Sequence, residues 1–599
     1  MEKQKKIAWD WGIGAPLAPS VMRRRPVAWL GASLLAGAVV WMLSLALLWT
    51  PLPLLADPPW SMERQLGCWL TALIHLKFEW FFRSHALGCS FGWEKLGAAG
   101  RLGVEQRCGA SLLLALLPSA WLWRKHMTPR DELVHMRGAM RHEGDEAVAA
   151  LNAKLSGEFE RAPDHEIAPG VGYPATMWTR HALIVGGTGS GKSTFLKPLI
   201  SAVVKAGEPM ILFDPKGEFT SGFAEPAIIA PWDSRSLAWD IARDMRNIGD
   251  IRRFADGLIE KSTDPMWASA AKQLLTGLVL YLKRSRGDEW GWSELASVVM
   301  LPLPSILAIM KRHHEEAIRA VEKASVTSQG ILINLSAFCG GVFDLALAWG
   351  DVPADRRVSF VDWTLGRSKF KQIILQGHMS YEPLTRAYAR GIVEVIAALV
   401  GSIEMEDDPK RKLWLICDEA PLLGAVPIRN LYSVGRSRGF RCLMACQDLA
   451  QLEEVHGEKM VKSLVSMSGT LLVGQITQGD TAEQLARAIG TREVERLNVS
   501  TSTGAGGGAA PSSSFSFARD DIALYKPSEL GSRLGLHPDG KGVVFSLVVG
   551  GHAYELYFPH FQMRKLRPRH VPAPWTLGVG EATPDLSPDS PPVPGSEAG

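Results

Sequence analysis

The chain has 599 residues, a formal net charge of +3 and 46% apolar residues, enough for two to four domains with ample cores. A charge so balanced excludes a surface that is basic throughout, so any nucleic-acid contact must be local. The seven cysteines (68, 89, 108, 339, 417, 442 and 446) form no CxxC pair and no Cys/His ligand spacing, which argues against zinc.

Lys3, Lys5, Lys6, Arg23, Arg24 and Arg25 precede Val27 to Trp49, an uncharged apolar run of 23 residues. As a helix it crosses about 30 Å of hydrocarbon, and it is long for the apolar stretch of a cleaved signal peptide. The preceding cations hold the N-terminus in the cytoplasm. A second run, Cys108 to Trp123, is only 16 residues long and needs its flanks to span. Arg124, Lys125, Arg130, Arg137 and Arg141 then return a second positive-inside signal. Residues 1–126 therefore read as a membrane anchor with spans at about 27–49 and 106–123 and both termini cytoplasmic. The loop between them faces an oxidising periplasm, where Cys68 and Cys89 can pair. Within it Trp69 to Phe82, interrupted by His75, Lys77 and Glu79, reads as an interfacial or packed amphipathic helix.

From Met127 the composition is that of a soluble α/β protein, with a first nucleotide-binding part over 127–249. Ala182 to Val185 suit a buried strand, and they open into Gly186-Gly187-Thr188-Gly189-Ser190-Gly191-Lys192-Ser193-Thr194 ahead of a helix. This is a complete P-loop. Its glycines let backbone N–H groups converge on phosphate oxygens, Lys192 reaches the β/γ-phosphates and the Ser193 hydroxyl ligates Mg²⁺, so ATP and Mg²⁺ are the expected cofactors. A second strand, Met210 to Phe213, ends in Asp214-Pro215-Lys216-Gly217-Glu218, which is either a plain polar turn or part of the nucleotide site.

Between about 250 and 355 the strand-helix alternation stops, and helical apolar spacing predicts an inserted all-α domain. Alternation resumes over 356–565 with a strand at Phe370 to Leu375 and a helix at Leu384 to Ile403. Leu413 to Cys417 form a central strand that presents Asp418 for the Mg²⁺ shell and Glu419 to polarise the attacking water. Further units follow with strands at Arg441 to Cys446 and Thr470 to Gln475, which completes a RecA-like core. Arg436, in the turn before one strand, is the candidate arginine reaching into a neighbour's site, and Gln447, at that strand's end, is the candidate γ-phosphate sensor. Cys339, Cys417, Cys442 and Cys446 read as reduced core residues. Ser500 to Ala518 reads as a flexible loop by composition. Val543 to Val549 and His552 to Phe558 read as a hairpin turning at Gly550-Gly551. Residues 566–599, Pro-rich and acidic from Val571 on, read as a disordered tail.

The linked motifs resemble those of the membrane-anchored coupling ATPases of conjugative type IV secretion systems, of the TraD and TrwB kind. The likeness runs through the two spans, Arg137-Gly138-Ala139, the P-loop with its preceding His181 and the turn at 214–218. It continues through Pro231-Trp232-Asp233-Ser234-Arg235-Ser236, Trp239-Asp240, Asp264-Pro265-Met266-Trp267, the helical insert, Asp418-Glu419, Gly435-Arg436 and Gln447. The resemblance implies a homo-hexamer in the bacterial inner membrane beside the secretion channel, driving relaxase-bound single-stranded DNA by ATP hydrolysis, with duplex DNA a further possible substrate. It also implies that Lys192 and Ser193 bind nucleotide and metal, that Asp418 and Glu419 form the hydrolytic pair, that Arg436 acts in trans and that Gln447 senses phosphate. The alternatives are a DNA translocase of the FtsK/HerA type, against which stands the long helical insert, and a coupling receptor that delivers protein effectors.

Overall fold

The structure is a computed structural model that describes residues 26–50, 60–75, 83–127, 134–158, 163–259, 265–323, 335–477, 479–502 and 512–577. It divides into two compact units, Met1–Arg137 with Glu493–Ile522, and Gly138–Arg492 with Ala523–Gly599.

In the first unit, helices Pro26–Leu48 and Ala98–Met127 pack side by side. Small residues let them approach: a β-carbon on Gly37 would lie 2.4 Å from Ser119 Oγ, and that hydroxyl donates to the Ser33 carbonyl at 3.1 Å. Leu34, Leu35, Leu43 and Leu47 on one helix and Leu112, Leu113, Leu116 and Leu117 on the other remain exposed, an arrangement suited to lipid. Among the described residues only Leu30–Leu48 is long and apolar enough on its own to cross a membrane. The second helix is longer than its apolar run and carries Arg101, Glu105 and Arg107 in its first turns. The buried Arg107 donates Nε–H to the Leu48 carbonyl at 2.7 Å. Between these helices lie Met62–His75 and Arg83–Lys95, joined by a Cys68–Cys89 disulfide. The amphipathic helix expected over 69–82 thus starts earlier, and residues 76–82 lie outside the described residues.

The flexible loop expected over 500–518 is corrected in part. Strand Thr491–Ser502 lies between Val134–Gly138 and Ser512–Ala523 in a three-stranded sheet. Phe515 and Phe517 alternate with serines, and this period of two outweighs the serine-rich composition. Ion pairs Arg496–Asp520 at 3.4 Å and Arg519–Glu495 at 3.6 Å tie the two long strands together. Residues 503–511, the glycine-rich part, lie outside the described residues.

The second unit is built on one mixed sheet. Its strands run Arg141–Glu143, His552–Pro559, Gly542–Val549, Thr470–Val473, Ala182–Val185, Phe440–Cys446, Leu413–Cys417, Met210–Asp214, Gln372–Gln376 and Ala227–Ile229 from edge to edge, with Gly535–Leu536 added beside Gly542–Val549. The six from Thr470–Val473 to Gln372–Gln376 are parallel and nearly all buried, as continuous apolar runs require when helices cover both faces. Period-two alternation then splits each run between two cores. Leu183, Val185, Ile211, Phe213 and Leu415 face one side, and Ala182, Ile184, Met210, Leu212 and Ile416 the other. The Gly550-Gly551 hairpin forms as predicted.

The helices at 248–349 leave and re-enter the sheet region through a short parallel pair, Ala238–Trp239 with Arg357–Val358. The Asp244 carboxylate ties both stems together, accepting from Trp239 Nε1 at 2.7 Å, the Ser359 hydroxyl, and the amides of Phe360 and Val361 at 2.9 and 3.1 Å. Their apolar core is continuous with one face of the sheet through helix Glu382–Val400. The disordered tail expected from 566 is also corrected. Trp575 donates to the Pro231 carbonyl at 2.8 Å, Val571 N–H bonds to Asp233 and Ala573 is buried, so apolar anchors hold residues 566–577 against the unit. Residues 578–599 lie outside the described residues.

Candidate nucleotide site

Four parallel strands end side by side at one edge of the sheet: Ala182–Val185, Phe440–Cys446, Leu413–Cys417 and Met210–Asp214. In an open α/β sheet this carboxyl edge is where ligands bind. The P-loop strand and the acidic-pair strand are not neighbours. The strand ending at Cys446 lies between them and puts Gln447 at their midpoint.

The loop itself is shaped for an anion. Gly189 and Gly191 have φ of 79° and 93°, a region closed to most side chains, and a β-carbon on Gly191 would also lie 2.7 Å from Val543. Helix Lys192–Lys205 starts immediately after. Among the described residues no acceptor takes the amides of Gly189, Gly191, Lys192 or Ser193, so they are free to hold phosphate oxygens. The Lys192 ammonium folds back onto the Gly186 carbonyl at 2.6 Å. Burial holds its pKa below the usual lysine range, with Glu419 and Asp418 opposing that shift.

A hydrogen-bonded bridge joins the loop to the acidic pair. Thr188 Oγ1 donates to Gln447 Oε1 at 2.7 Å, and Gln447 Nε2 donates to Glu419 Oε2 at 2.8 Å. The other Glu419 oxygen is buried with no partner among the described residues. Asp418 is buried beside it, and its amide donates to the Phe213 carbonyl at 3.3 Å. Burial, then the neighbouring Asp214 charge, pushes the Asp418 carboxyl up to about 6. Several carboxylates crowded beside one serine hydroxyl fit a bound cation.

The turn at 214–218, left open by the sequence, belongs to this edge. Asp214 accepts the amides of Glu218 and Thr220 at 3.0 and 2.9 Å, which shapes the turn. Glu218 meets the Ser193 hydroxyl at 3.4 Å and pairs with Lys197 on the P-loop helix. A strap missed by the sequence closes the turn from behind. The Leu566 amide donates to the Ser221 carbonyl at 2.8 Å, and the Arg569 carbonyl accepts from Gln376 at 3.0 Å. No local motif announces a segment that returns from 350 residues further along the chain.

Arg436 is not brought to this site. It precedes Phe440–Cys446, at the opposite edge of the sheet, seven strand residues or about 20 Å away. Its side chain is exposed and has no hydrogen bond or ion pair with any described residue. At that same edge Asp164, His165 and Glu208 lie within ligand distance of one another, but Lys412, at 2.6 Å from Asp164 and 2.7 Å from Glu208, makes them an ion-pair network and not a metal site. Burial pushes the Cys417, Cys442 and Cys446 thiols up, in keeping with inert core residues.

Comparison with known proteins agrees with this geometry. The family model described as the type IV secretion-system coupling protein DNA-binding domain matches residues 165–530. The coupling protein TraD of Escherichia coli (strain K12) is 25% identical over 321 residues, 51% of this chain. That match spans 43% of TraD's own length. The bacterial conjugative coupling protein TrwBdeltaN70, in its unbound monoclinic form, superposes with a TM-score of 0.58 at 20% identity, over 73% of this chain and 96% of that one. The plasmid coupling protein TrwB in complex with ADP and Mg²⁺ gives 0.56 at 20% identity, over 74% and 99%. These structural matches establish the shared fold, a P-loop α/β core with helices on both faces. With the family model covering more than half of its residues, the chain belongs to the type IV secretion-system coupling proteins.

Proposed function

We propose that this chain is a membrane-anchored ATPase that couples a relaxase-bound DNA to a type IV secretion channel and drives single-stranded DNA transfer as a homo-hexamer. The observation that carries the reading is the Thr188–Gln447–Glu419 bridge, which links a phosphate cradle to a would-be water-activating carboxylate across an intervening strand. Gly186 to Thr194 would hold the phosphates of ATP, with Lys192 swinging from the Gly186 carbonyl to the β/γ-oxygens. Ser193 and Asp418 would hold Mg²⁺, which when bound neutralises developing phosphate charge. Glu419 polarises and orients the attacking water through its free oxygen, while Gln447 fixes the carboxylate's position and reports on Thr188. Arg436 is too far to serve its own subunit, so it acts in trans, stabilising transition-state charge in the neighbour's site.

The exposed leucines of the helix pair support a two-span anchor in the bacterial inner membrane with both termini in the cytoplasm. The test is ATP turnover by the full chain in lipid. Lys192→Ala and Glu419→Gln should each lower it at least about a hundredfold with membrane insertion unchanged, and single-stranded DNA should stimulate the wild type in a salt-sensitive way. Undiminished turnover in both variants sinks the catalytic assignment. Turnover indifferent to DNA at low salt favours delivery of protein effectors.

A further inference from the structure

The P-loop strand begins on a residue held in an unusual conformation. His181, directly before Ala182, has φ of 62°, and among the described residues it is the one non-glycine in the left-handed region. Backbone strain of this kind persists only where the surroundings fix it. The ring is buried, and Nδ1 accepts the Cys442 amide of the adjacent strand at 3.2 Å, which leaves the proton on Nε2. Nε2 is buried without a hydrogen-bond partner among the described residues. The imidazole also packs on the Tyr432 ring, centroids 4.5 Å apart. Burial, opposed by the Tyr432 carbonyl and aided by the Arg436 charge, brings its pKa down to about 4, so the ring is neutral at physiological pH.

Tyr432 lies in the last turn of helix Ile428–Val434, and the chain after it is pinned almost everywhere. A β-carbon on Gly435 would lie 2.3 Å from the Leu431 carbonyl oxygen, and one on Gly439, where φ is 72°, 2.0 Å from that of Arg411. Arg438 donates to the Val400 and Ser402 carbonyls, and Ser437 Oγ donates to Asp407 at 2.7 Å. Arg436 is the exposed cation that this clamped turn leaves without a bond.

We infer that His181 is a positioning residue for the trans-acting arginine: by locking the end of helix Ile428–Val434 to the foot of the P-loop strand, it fixes the direction in which Arg436 projects toward a neighbouring subunit. The inference rests on the trans reading of Arg436. It assigns His181 an effect on the neighbour's chemistry and none on binding in its own cradle, since the ring is a strand's length away from Lys192.

The test uses the full-length oligomer in lipid. His181→Gly keeps the left-handed backbone but removes the ring. His181→Asn also accepts that backbone and restores an oxygen near the place of Nδ1. His181→Gly should lower kcat about tenfold or more with KM for ATP unchanged, and His181→Asn should recover part of that loss. In mixed oligomers, subunits carrying Lys192→Ala with His181→Gly should depress turnover by wild-type neighbours as Lys192→Ala with Arg436→Ala does, and beyond Lys192→Ala alone. If the Arg436 pair depresses the neighbours and the His181 pair does not, the positioning role is overturned while the trans arginine stands. If neither does, the trans reading fails and the inference falls with it. Where His181→Gly does not assemble, His181→Asn is read in the same mixture, and wild-type kcat together with no effect on neighbours overturns the proposal.

Discussion

Gln447 has one amide and uses both ends of it. Its oxygen accepts from the P-loop threonine and its nitrogen donates to the catalytic candidate Glu419, so it can register what occupies the cradle and hold the carboxylate at the same time. Gln447→Ala should therefore lower kcat about a hundredfold while leaving the affinity for a non-hydrolysable ATP analogue nearly unchanged. Equal losses in binding and turnover would mean that the amide only shapes the cradle. Much of this site was legible in the sequence because its chemistry sits in contiguous residues at strand ends: the glycine-rich loop, the acidic pair, and an amide following an apolar strand. Asp214 and Glu218 stayed ambiguous, since a charged turn reads the same whether it faces solvent or a metal. What favours the second reading is the meeting of Glu218 with Ser193 and Lys197 on the P-loop helix, a contact between distant segments that no local pattern encodes.

At the scale of elements, the insert's two stems meet at one carboxylate. Burial raises the Asp244 pKa from its ordinary 3.8 to about 6, despite four hydrogen bonds that favour the charged form. The folded value lies above the unfolded one. This contribution to stability is therefore complete below about pH 4 and is lost as pH rises through about 6. The gap corresponds to about 3 kcal/mol. Asp244→Asn cannot titrate, so the wild type's advantage over it in denaturant melts should shrink by up to about 3 kcal/mol between about pH 4 and pH 7. An advantage constant across that range would remove Asp244 as the titrating clamp. The buried strands were legible because parallel strands covered on both faces leave unbroken apolar runs, as Leu413 to Cys417 shows. Ser512–Ala523 was not, because a polar strand at a sheet edge resembles a loop in composition, and it follows a glycine-rich stretch. Trp575 likewise anchors a segment that proline content alone marks as unstructured.

For the molecule as a whole, the two-span reading places Cys68 and Cys89 outside the cytoplasm and the cysteines of the nucleotide unit inside it. The disulfide is thus a report on topology. Alkylation of intact cells followed by mass analysis should find Cys68 and Cys89 bonded, and reduced in cells lacking the periplasmic oxidation machinery. A pair that is reduced in normal cells would contradict the placement of that loop. The same bond bears on how the protein is handled at the bench. Cys339, Cys417, Cys442 and Cys446 are shielded by packing and need no protection from air. A strong thiol reagent added during purification therefore guards nothing buried in the second unit, while it unfastens the staple joining the two short helices of the first.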